Sequence, residues 1–134
     1  MEENSQSQPQ ASAPNKRLVL CIEDEQFIGE LYKRALEKSD YSVEVIADGH
    51  QGLAAALTDK YDFILLDIMI PEILGIDILQ QLRTQKPDLK AKIIIATNLE
   101  QDKESRARIE ESADGYFIKA EVTPRQLADL MNQM

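Results

Sequence analysis

Short apolar runs alternate with longer amphipathic stretches along this chain. The runs cover residues 18–22, 43–47, 63–66, 93–96 and 116–118. Between them, apolar residues recur three or four positions apart, as on one face of a helix. The alternation predicts five strands and five helices in an α/β fold built on a parallel sheet. The helical positions are Phe27, Ile28, Leu31, Ala35 and Leu36, then Leu53, Ala54 and Leu57, then Ile78, Leu79 and Leu82, and finally Leu127, Leu130, Met131 and Met134.

The composition of the runs predicts the order of the strands. Runs one, three and four are almost entirely apolar, as expected for strands that are covered on both faces. Residues 41–45 instead alternate apolar and polar side chains, which is typical of a sheet edge. The pattern favours the order 2-1-3-4-5 of flavodoxin-like, doubly wound sheets. In such sheets the ligand crevice lies at the carboxyl ends of strands one and three.

The two ends of the sequence differ in character. Residues 1–15 contain no Val, Ile, Leu or aromatic residue and are rich in Ser, Gln, Asn and Pro, which predicts a disordered N-terminal tail. Residues 16–134 are predicted to form one domain. Near the other end, residues 123–126 (TPRQ) combine a capping box with a proline at the first helical position, so the last helix is expected to begin there.

Charge and composition argue against several classes of function. The 134 residues carry a net charge of −9, which argues against binding nucleic acid or anionic lipid through the overall field. No apolar stretch approaches the ~20 residues that span a bilayer, and the polar start does not resemble a signal peptide. The single cysteine, Cys21, lies inside an apolar run, which predicts a buried, reduced thiol in a cytoplasmic protein.

Polar residues follow the apolar runs at the points where the strands should end. Because parallel strands end at one edge of the sheet, carboxylates, a hydroxyl and an ammonium group should converge there. Strand one is followed by Glu23, Asp24 and Glu25, strand three by Asp67, strand four by Thr97, and strand five by Lys119.

Each of these residues also has a purely structural explanation. Asp24 or Glu25 would cap the first helix, and Asp67 would be a turn residue before the following proline. Thr97 would be an ordinary β-branched strand residue, and Lys119 a solvated strand end. A functional site is favoured because all four strand ends agree.

The crowding of carboxylates indicates a metal ion. Two carboxylates ~4 Å apart repel by ~4 kcal/mol at an effective dielectric constant of 20. Asp24 and Asp67 therefore need a counter-charge, and Mg²⁺ suits one or two protein carboxylates together with waters and a phosphate oxygen. Zinc is disfavoured because the only histidine is His50 and the only cysteine is Cys21. With the cation in place, Asp67 can act as a nucleophile towards phosphorus.

From Arg17 to its last residue, the chain resembles the receiver domain of bacterial two-component response regulators. The most specific stretch is residues 61–71 (YDFILLDIMIP), in which Asp67 is followed by Pro71 four positions later and by Gly75 eight positions later. Further matches are the acidic pair Glu23 and Asp24, the switch hydroxyl of Thr97, the switch aromatic Tyr116, and the phosphate-pairing Lys119.

The resemblance implies a mechanism. A histidine kinase or a histidine phosphotransfer protein would phosphorylate Asp67, with Mg²⁺ held by Asp24, Asp67 and the Met69 carbonyl, and with Glu23 holding a metal-bound water. The domain would catalyse its own phosphorylation and dephosphorylation without being a dedicated enzyme. It would contact neither membrane nor nucleic acid.

The resemblance also implies how the signal leaves the site. Thr97 would move inward on phosphorylation and Tyr116 would follow, so the face formed by helix four, strand five and helix five would change its partner preference. A downstream effector protein, or a second copy in a dimer, would bind this face. For Tyr116 the alternative is an ordinary strand aromatic.

Three residues depart from the family's pattern. Glu23 replaces the commoner aspartate, which a water-mediated contact should tolerate. Asn98 stands where a small residue is usual, and we expect it to cap helix four with Gln101 as its partner. Ala120 replaces a proline that is usually preceded by a cis bond. Since a cis bond before a non-proline residue costs ~2.5–4 kcal/mol, a trans bond or a strained loop is expected.

Two apolar residues suggest a slow dephosphorylation rate. In the family, the side chains two positions beyond the aspartate and two beyond the threonine flank the hydrolytic water. Here they are Met69 and Leu99, which should hinder that water and lengthen the phosphorylated lifetime.

Two other functions fit the sequence less well than that of a phosphoacceptor. Haloacid-dehalogenase-like phosphatases also use a strand-end aspartate, but they usually carry a second aspartate where this chain has Met69. A degenerate receiver that only binds partners is disfavoured by the complete set of site residues.

His50 fits a solvated position at the start of a helix better than a phosphoryl donor. A single-domain regulator, a phosphorelay intermediate and a receiver cut from a longer protein all fit the sequence.

Overall fold

Five parallel strands and five α-helices alternate along the chain in the computed structural model, which describes residues 16–98 and 101–134. This confirms the predicted α/β class. The predicted tail, residues 1–15, lies outside the described residues. The elements are β1 (Arg17–Ile22), α1 (Gln26–Lys38), β2 (Tyr41–Ile46), α2 (Gly49–Ala56), β3 (Phe63–Asp67), α3 (Gly75–Gln85), β4 (Lys92–Thr97), α4 (Lys103–Ser112), β5 (Gly115–Ile118) and α5 (Pro124–Asn132), with one 3₁₀ turn at Lys119–Glu121.

The strands form a single sheet in the order β2-β1-β3-β4-β5, as predicted. Strand β1 pairs on both sides, so that Val19 lies opposite Val43 of β2 and Phe63 of β3. Every residue of β3 is buried, whereas the first four residues of β2 alternate between buried and exposed. The alternating apolar and polar pattern of residues 41–45 is therefore that of an edge strand.

Two hydrophobic layers cover the two faces of the sheet. Alternate residues of one strand point to opposite faces, so Leu20 and Ile22 pack on one side while Val19 and Cys21 pack on the other. The first layer includes Ile78, Leu79 and Leu82 of α3 and Ile109 of α4. The second includes Tyr32 and Leu36 of α1 and Leu127 and Met131 of α5.

The predicted apolar faces of α1 and α5 were partly wrong. Phe27 is 73% exposed and Leu31 is 37% exposed, whereas Tyr32 is buried. Phe27 lies five residues before Tyr32, which turns it about 140° away from the buried face. Leu130 of α5 and Met134, which lies two residues beyond the end of that helix, are likewise exposed.

The start of α5 matches its predicted signal. The Thr123 hydroxyl accepts a hydrogen bond from the Gln126 backbone over 3.1 Å, and the Gln126 side chain accepts one from the Thr123 backbone over 2.8 Å. Pro124 occupies the first turn. Among the helices that the structure describes, none has the length and apolar character needed to cross a membrane.

Candidate functional site

The carboxyl ends of four strands bring the predicted polar residues to one edge of the sheet. Glu23 and Asp24 follow β1, Asp67 ends β3, Thr97 ends β4, and Lys119 follows β5. The site is mostly enclosed, because Glu23, Asp67 and Thr97 are 2%, 5% and 1% exposed, and Asp24 alone of its carboxylates is exposed.

Lys119 joins two of the buried carboxylates. Its Nζ lies 2.5 Å from Glu23 Oε1 and 3.0 Å from Asp67 Oδ2. The lysine side chain is itself only 7% exposed. Since an unpaired buried charge is costly, each of these groups depends on the others.

Burial and hydrogen bonding set the protonation of this cluster. Burial opposes the charge of Lys119, but its hydrogen bonds to Glu23 and Asp67 outweigh burial and raise the pKa of the lysine. Burial raises the pKa of Glu23, and the hydrogen bond from Lys119 acts in the opposite direction. Lys119 is therefore a permanent cation at neutral pH.

The carboxylate oxygens of Glu23, Asp24 and Asp67 lie close to one another. Glu23 Oε2 accepts a hydrogen bond from the Glu25 backbone over 3.1 Å, and Asp67 Oδ1 accepts one from the Met69 backbone over 3.2 Å. One carboxylate oxygen from each of Glu23, Asp24 and Asp67 lies within 4.8 Å of the other two. Three carboxylates against one ammonium leave excess negative charge, and hard oxygen ligands of this kind can hold a divalent cation such as Mg²⁺.

A glycine fixes the turn behind Asp67. The Gly75 backbone N–H donates to the Ile68 carbonyl over 2.7 Å. A Cβ at this position would lie 2.1 Å from the Asp67 carbonyl oxygen and 2.7 Å from Ile68 Cα. The start of α3 can therefore approach the end of β3 only where residue 75 has no side chain. This contact gives a physical reason for the glycine eight residues after the aspartate.

Thr97 and Tyr116 lie on the same face of the sheet. Thr97 pairs with Ile118, and Ile95 pairs with Tyr116. Because side chains alternate along a strand, Thr97 and Tyr116 point to the same side from neighbouring strands. The half-buried Tyr116 ring is contacted by Arg106 of α4.

Helix capping by its side chain does not explain the acid at the start of α1. Glu25 occupies the N-cap position of α1, yet its side chain makes no capping hydrogen bond within the described part of the chain. The prediction that Asn98 caps α4 with Gln101 was wrong. Asp102 caps this helix instead, and its Oδ1 accepts from the Ser105 backbone over 2.8 Å. Asp102 has this role because α4 begins at Lys103, several residues after the end of β4.

The remaining candidate residues are placed as follows. Every peptide bond within residues 16–98 and 101–134 is trans, so the Lys119–Ala120 bond is trans and Lys119 still reaches both carboxylates.

The Met69 side chain is 62% exposed, and Leu99 lies outside the described residues. His50 is exposed in the first turn of α2. Cys21 is a buried free thiol, as predicted, and burial raises its pKa.

Two neighbours of the site were not foreseen from the sequence. Gln101 and Arg106 contact Tyr116 across the gap between α4 and β5. Fifteen and ten residues separate them from Tyr116 in the chain, so no local pattern predicts the contacts.

Comparisons with known proteins give a consistent result. The family model of the response regulator receiver domain matches residues 19–132. The chain is 37% identical over 101 residues to the response regulator ArlR of Staphylococcus saprophyticus, covering 75% of this chain and 44% of that protein. It is 36% identical over 113 residues to the alkaline phosphatase synthesis transcriptional regulatory protein PhoP of Bacillus subtilis, covering 84% and 45%. The chain thus spans less than half the length of these curated relatives.

Solved structures agree with this result. A CheY-like response regulator receiver domain protein from Methanospirillum hungatei matches with a TM-score of 0.78 and 27% identity, over 89% of this chain and 93% of that one. The receiver domain of the Francisella response regulator 1452 also matches with a TM-score of 0.78, at 26% identity, over 88% and 95%.

Proposed function

The chain belongs to the response regulator receiver domain family, and from that premise we propose that Asp67 accepts a phosphoryl group from a phosphorylated histidine. The observation that carries the proposal is the position of Lys119 Nζ, 3.0 Å from Asp67 Oδ2, in a pocket that also contains Glu23 and Asp24. A buried acceptor beside a permanent cation and further carboxylates suits phosphoryl transfer better than a structural role.

The transfer step conserves atoms and charge. A carboxylate oxygen of Asp67 forms a bond to phosphorus while the bond between phosphorus and the imidazole nitrogen of the donor breaks. The electron pair of that bond stays with the nitrogen, and the product is an acyl phosphate on Asp67. Lys119 stabilises the oxygens of the transferred group, and the Thr97 hydroxyl donates to one of them.

Asp24, Asp67 and the backbone carbonyl of Met69 would hold Mg²⁺, and Glu23 would hold one of its waters. The fit rests on the carboxylate oxygens of Glu23, Asp24 and Asp67, which lie within 4.8 Å of one another. When bound, the cation neutralises charge on the transferring group. Lys119 alone leaves the acidic pocket with excess negative charge, which a cation held by Asp24 and Asp67 would offset.

Phosphorylation would be read on a neighbouring face of the domain. The new charge draws Thr97 inward, and Tyr116 follows from the next strand. The surface formed by α4, β5 and α5 then changes its affinity for an effector protein, or for a second copy of the chain. The partners are thus a histidine kinase or a histidine phosphotransfer protein before transfer and an effector afterwards, all in the cytoplasm. The domain is a signalling module that promotes its own phosphorylation and dephosphorylation.

The decisive test is phosphorylation by a small donor. Incubation with Mg²⁺ and acetyl phosphate should add the mass of one phosphoryl group, and Asp67→Asn should abolish that gain because the acceptor oxygen is lost. Asp62→Asn is the matched control, since it changes a partly exposed aspartate five residues earlier. No gain in the unsubstituted protein would favour a module that only binds partners. Rapid turnover of phosphate esters would favour a phosphatase.

The rate of dephosphorylation tests a second part of the proposal. Met69 and Leu99 are the apolar residues proposed to hinder the hydrolytic water. The phosphorylated protein should therefore lose its phosphoryl group more slowly than the Met69→Asn, Leu99→Glu double variant. Loss of ³²P from the purified phosphoprotein measures both rates. A rate no slower in the unsubstituted protein would refute this part and leave the role of Asp67 intact.

A further inference from the structure

Helix α4 contacts the ring of Tyr116, and the segment just before the helix contacts its hydroxyl group. Arg106 Cζ lies 5.0 Å from the centroid of the Tyr116 ring. The Gln101 backbone N–H donates to the Tyr116 hydroxyl over 3.4 Å. A guanidinium group within ~6 Å of a ring centroid is attracted by the negative face of the ring. Two contacts, a hydrogen bond and a cation–π contact, therefore connect the beginning of α4 and the residues just before it to the edge strand β5.

The guanidinium group is itself held in place. The Arg106 backbone N–H donates to the Asp102 carbonyl over 2.9 Å, so the residue lies in the first turn after the helix cap. Its Nε is 3.5 Å from Glu110 Oε2, one turn further along the helix. An exposed pair of this kind adds little stability. It does restrict the directions in which the guanidinium group can point.

The contact opposes the movement that the proposed function requires. Tyr116 and Thr97 point to the same side of the sheet from neighbouring strands. The proposed rotation of Tyr116 towards Thr97 would take its ring away from the Arg106 guanidinium. The switch therefore includes the loss of one cation–π contact, and the strength of that contact shifts the balance between the two orientations.

We propose that Arg106 is a positioning residue that holds Tyr116 in its resting orientation and so sets how readily the domain switches. This rests on the proposed function of Asp67, and on Thr97 and Tyr116 as the moving pair. It differs from that function in assigning a role to a residue outside the phosphorylation pocket.

The contact is testable without phosphorylation. In NMR spectra of the unphosphorylated protein, the Arg106 Hδ and Hε signals should be shifted upfield by the Tyr116 ring. Tyr116→Leu should return them towards the values of a free arginine, while the signals of Arg108 stay unchanged. Arg106 signals that do not move in Tyr116→Leu would overturn the proposal.

The effect on switching has a matched control in the same helix. Arg106→Gln should react with acetyl phosphate about two- to fivefold faster, the factor that corresponds to one partly exposed cation–π contact. Arg108→Gln removes the same charge from an exposed position and should leave the rate unchanged. Arg106→Lys keeps the charge but loses the planar group, and should react at an intermediate rate.

A double-substitution cycle separates the contact from general charge effects. In the Tyr116→Leu background, Arg106→Gln should no longer alter the rate. An effect that persists there, or equal rates for Arg106→Gln and Arg108→Gln, would overturn the role of Arg106 alone. Absence of phosphorylation in the unsubstituted protein would instead overturn the proposed function, and the switch with it.

Discussion

The two ends of the sheet use aspartate and glutamate in different ways. At the amino end, Asp62 and Asp114 each accept a hydrogen bond from the backbone of a neighbouring strand. Asp62 accepts from the Leu18 backbone over 2.8 Å, and Asp114 accepts from the Ile93 backbone over the same distance. Each also lies near a partly exposed cation, Lys90 for Asp62 and Arg83 for Asp114.

At the carboxyl end the acids face one another. Glu23 and Asp67 are buried, accept backbone hydrogen bonds from residues two positions later at 3.1 and 3.2 Å, and both contact the ammonium group of Lys119. Acidic residues lie at both ends, but their partners differ. Acids that accept hydrogen bonds from backbone N–H groups stabilise the contacts between strands. Acids that surround one cation still have carboxylate oxygens that can bind a ligand.

The largest effect should come from the glycine behind Asp67. Gly75→Ala places a Cβ 2.1 Å from a backbone carbonyl oxygen, so β3 or α3 must shift. We expect a loss of about 3 kcal/mol in the free energy of unfolding, measured by urea denaturation. Gly115→Ala is the control at the amino end, because its nearest contact is a side-chain atom at 3.4 Å. Equal losses for the two variants would contradict the difference between the two ends.

Asp114, an acid at the amino end of the sheet, should affect the free energy of unfolding but not the rate of phosphoryl uptake. Asp114→Ala removes the acceptor of the buried Ile93 N–H and a partner of Arg83, and should cost about 2 kcal/mol in urea denaturation. The rate of phosphoryl uptake per folded molecule should stay the same. Asp88→Ala, at an exposed position, is the control and should change neither quantity. Slower uptake in Asp114→Ala would show that the two ends are not separate in function.

A site acid should show a smaller effect that depends on pH. Burial raises the pKa of Glu23, so the folded protein binds a proton there more tightly than the unfolded chain does. The stability that this adds is fully present below the ordinary glutamate pKa and is lost as the pH rises through the raised value. Without Mg²⁺, the stability of Glu23→Gln should therefore fall less than that of the unsubstituted protein as the pH rises above the ordinary glutamate pKa.

Urea denaturation at several pH values in the presence of a chelator measures this difference. Added Mg²⁺ should stabilise the unsubstituted protein more than Glu23→Gln, because it favours the ionised carboxylate. Glu30→Gln, on the exposed side of α1, is the matched control. Parallel pH curves for Glu23→Gln and the unsubstituted protein would argue against the assigned difference between the two ends.

The sequence predicted the sheet well because its signals are local. Short apolar runs mark the buried strands, and the alternation at residues 41–45 marks the edge. Parallel topology then places the residues after each strand at one edge, so the neighbours Glu23, Asp67 and Lys119 could be named in advance. That Lys119 contacts both carboxylates depends on three-dimensional distances, which no spacing in the chain encodes.

The errors have physical causes too. Phe27 belongs to an apolar series in α1, but the helix turns it away from the sheet, and a list of apolar positions does not fix the centre of the buried face. Asn98 and Asp102 are both good capping residues, and the choice between them depends on where α4 begins. The contacts of Arg106 with Tyr116 depend on how α4 packs beside β5.

The long separation of Glu23 and Lys119 along the chain affects the protein during its synthesis. Glu23 and Lys119 are 96 residues apart. At translation speeds of about 5–20 residues per second, the ribosome needs roughly 5–20 s to travel from one to the other. During that interval the nascent chain carries the acids of the pocket without their cation, so the pocket is completed only after β5 has been synthesised.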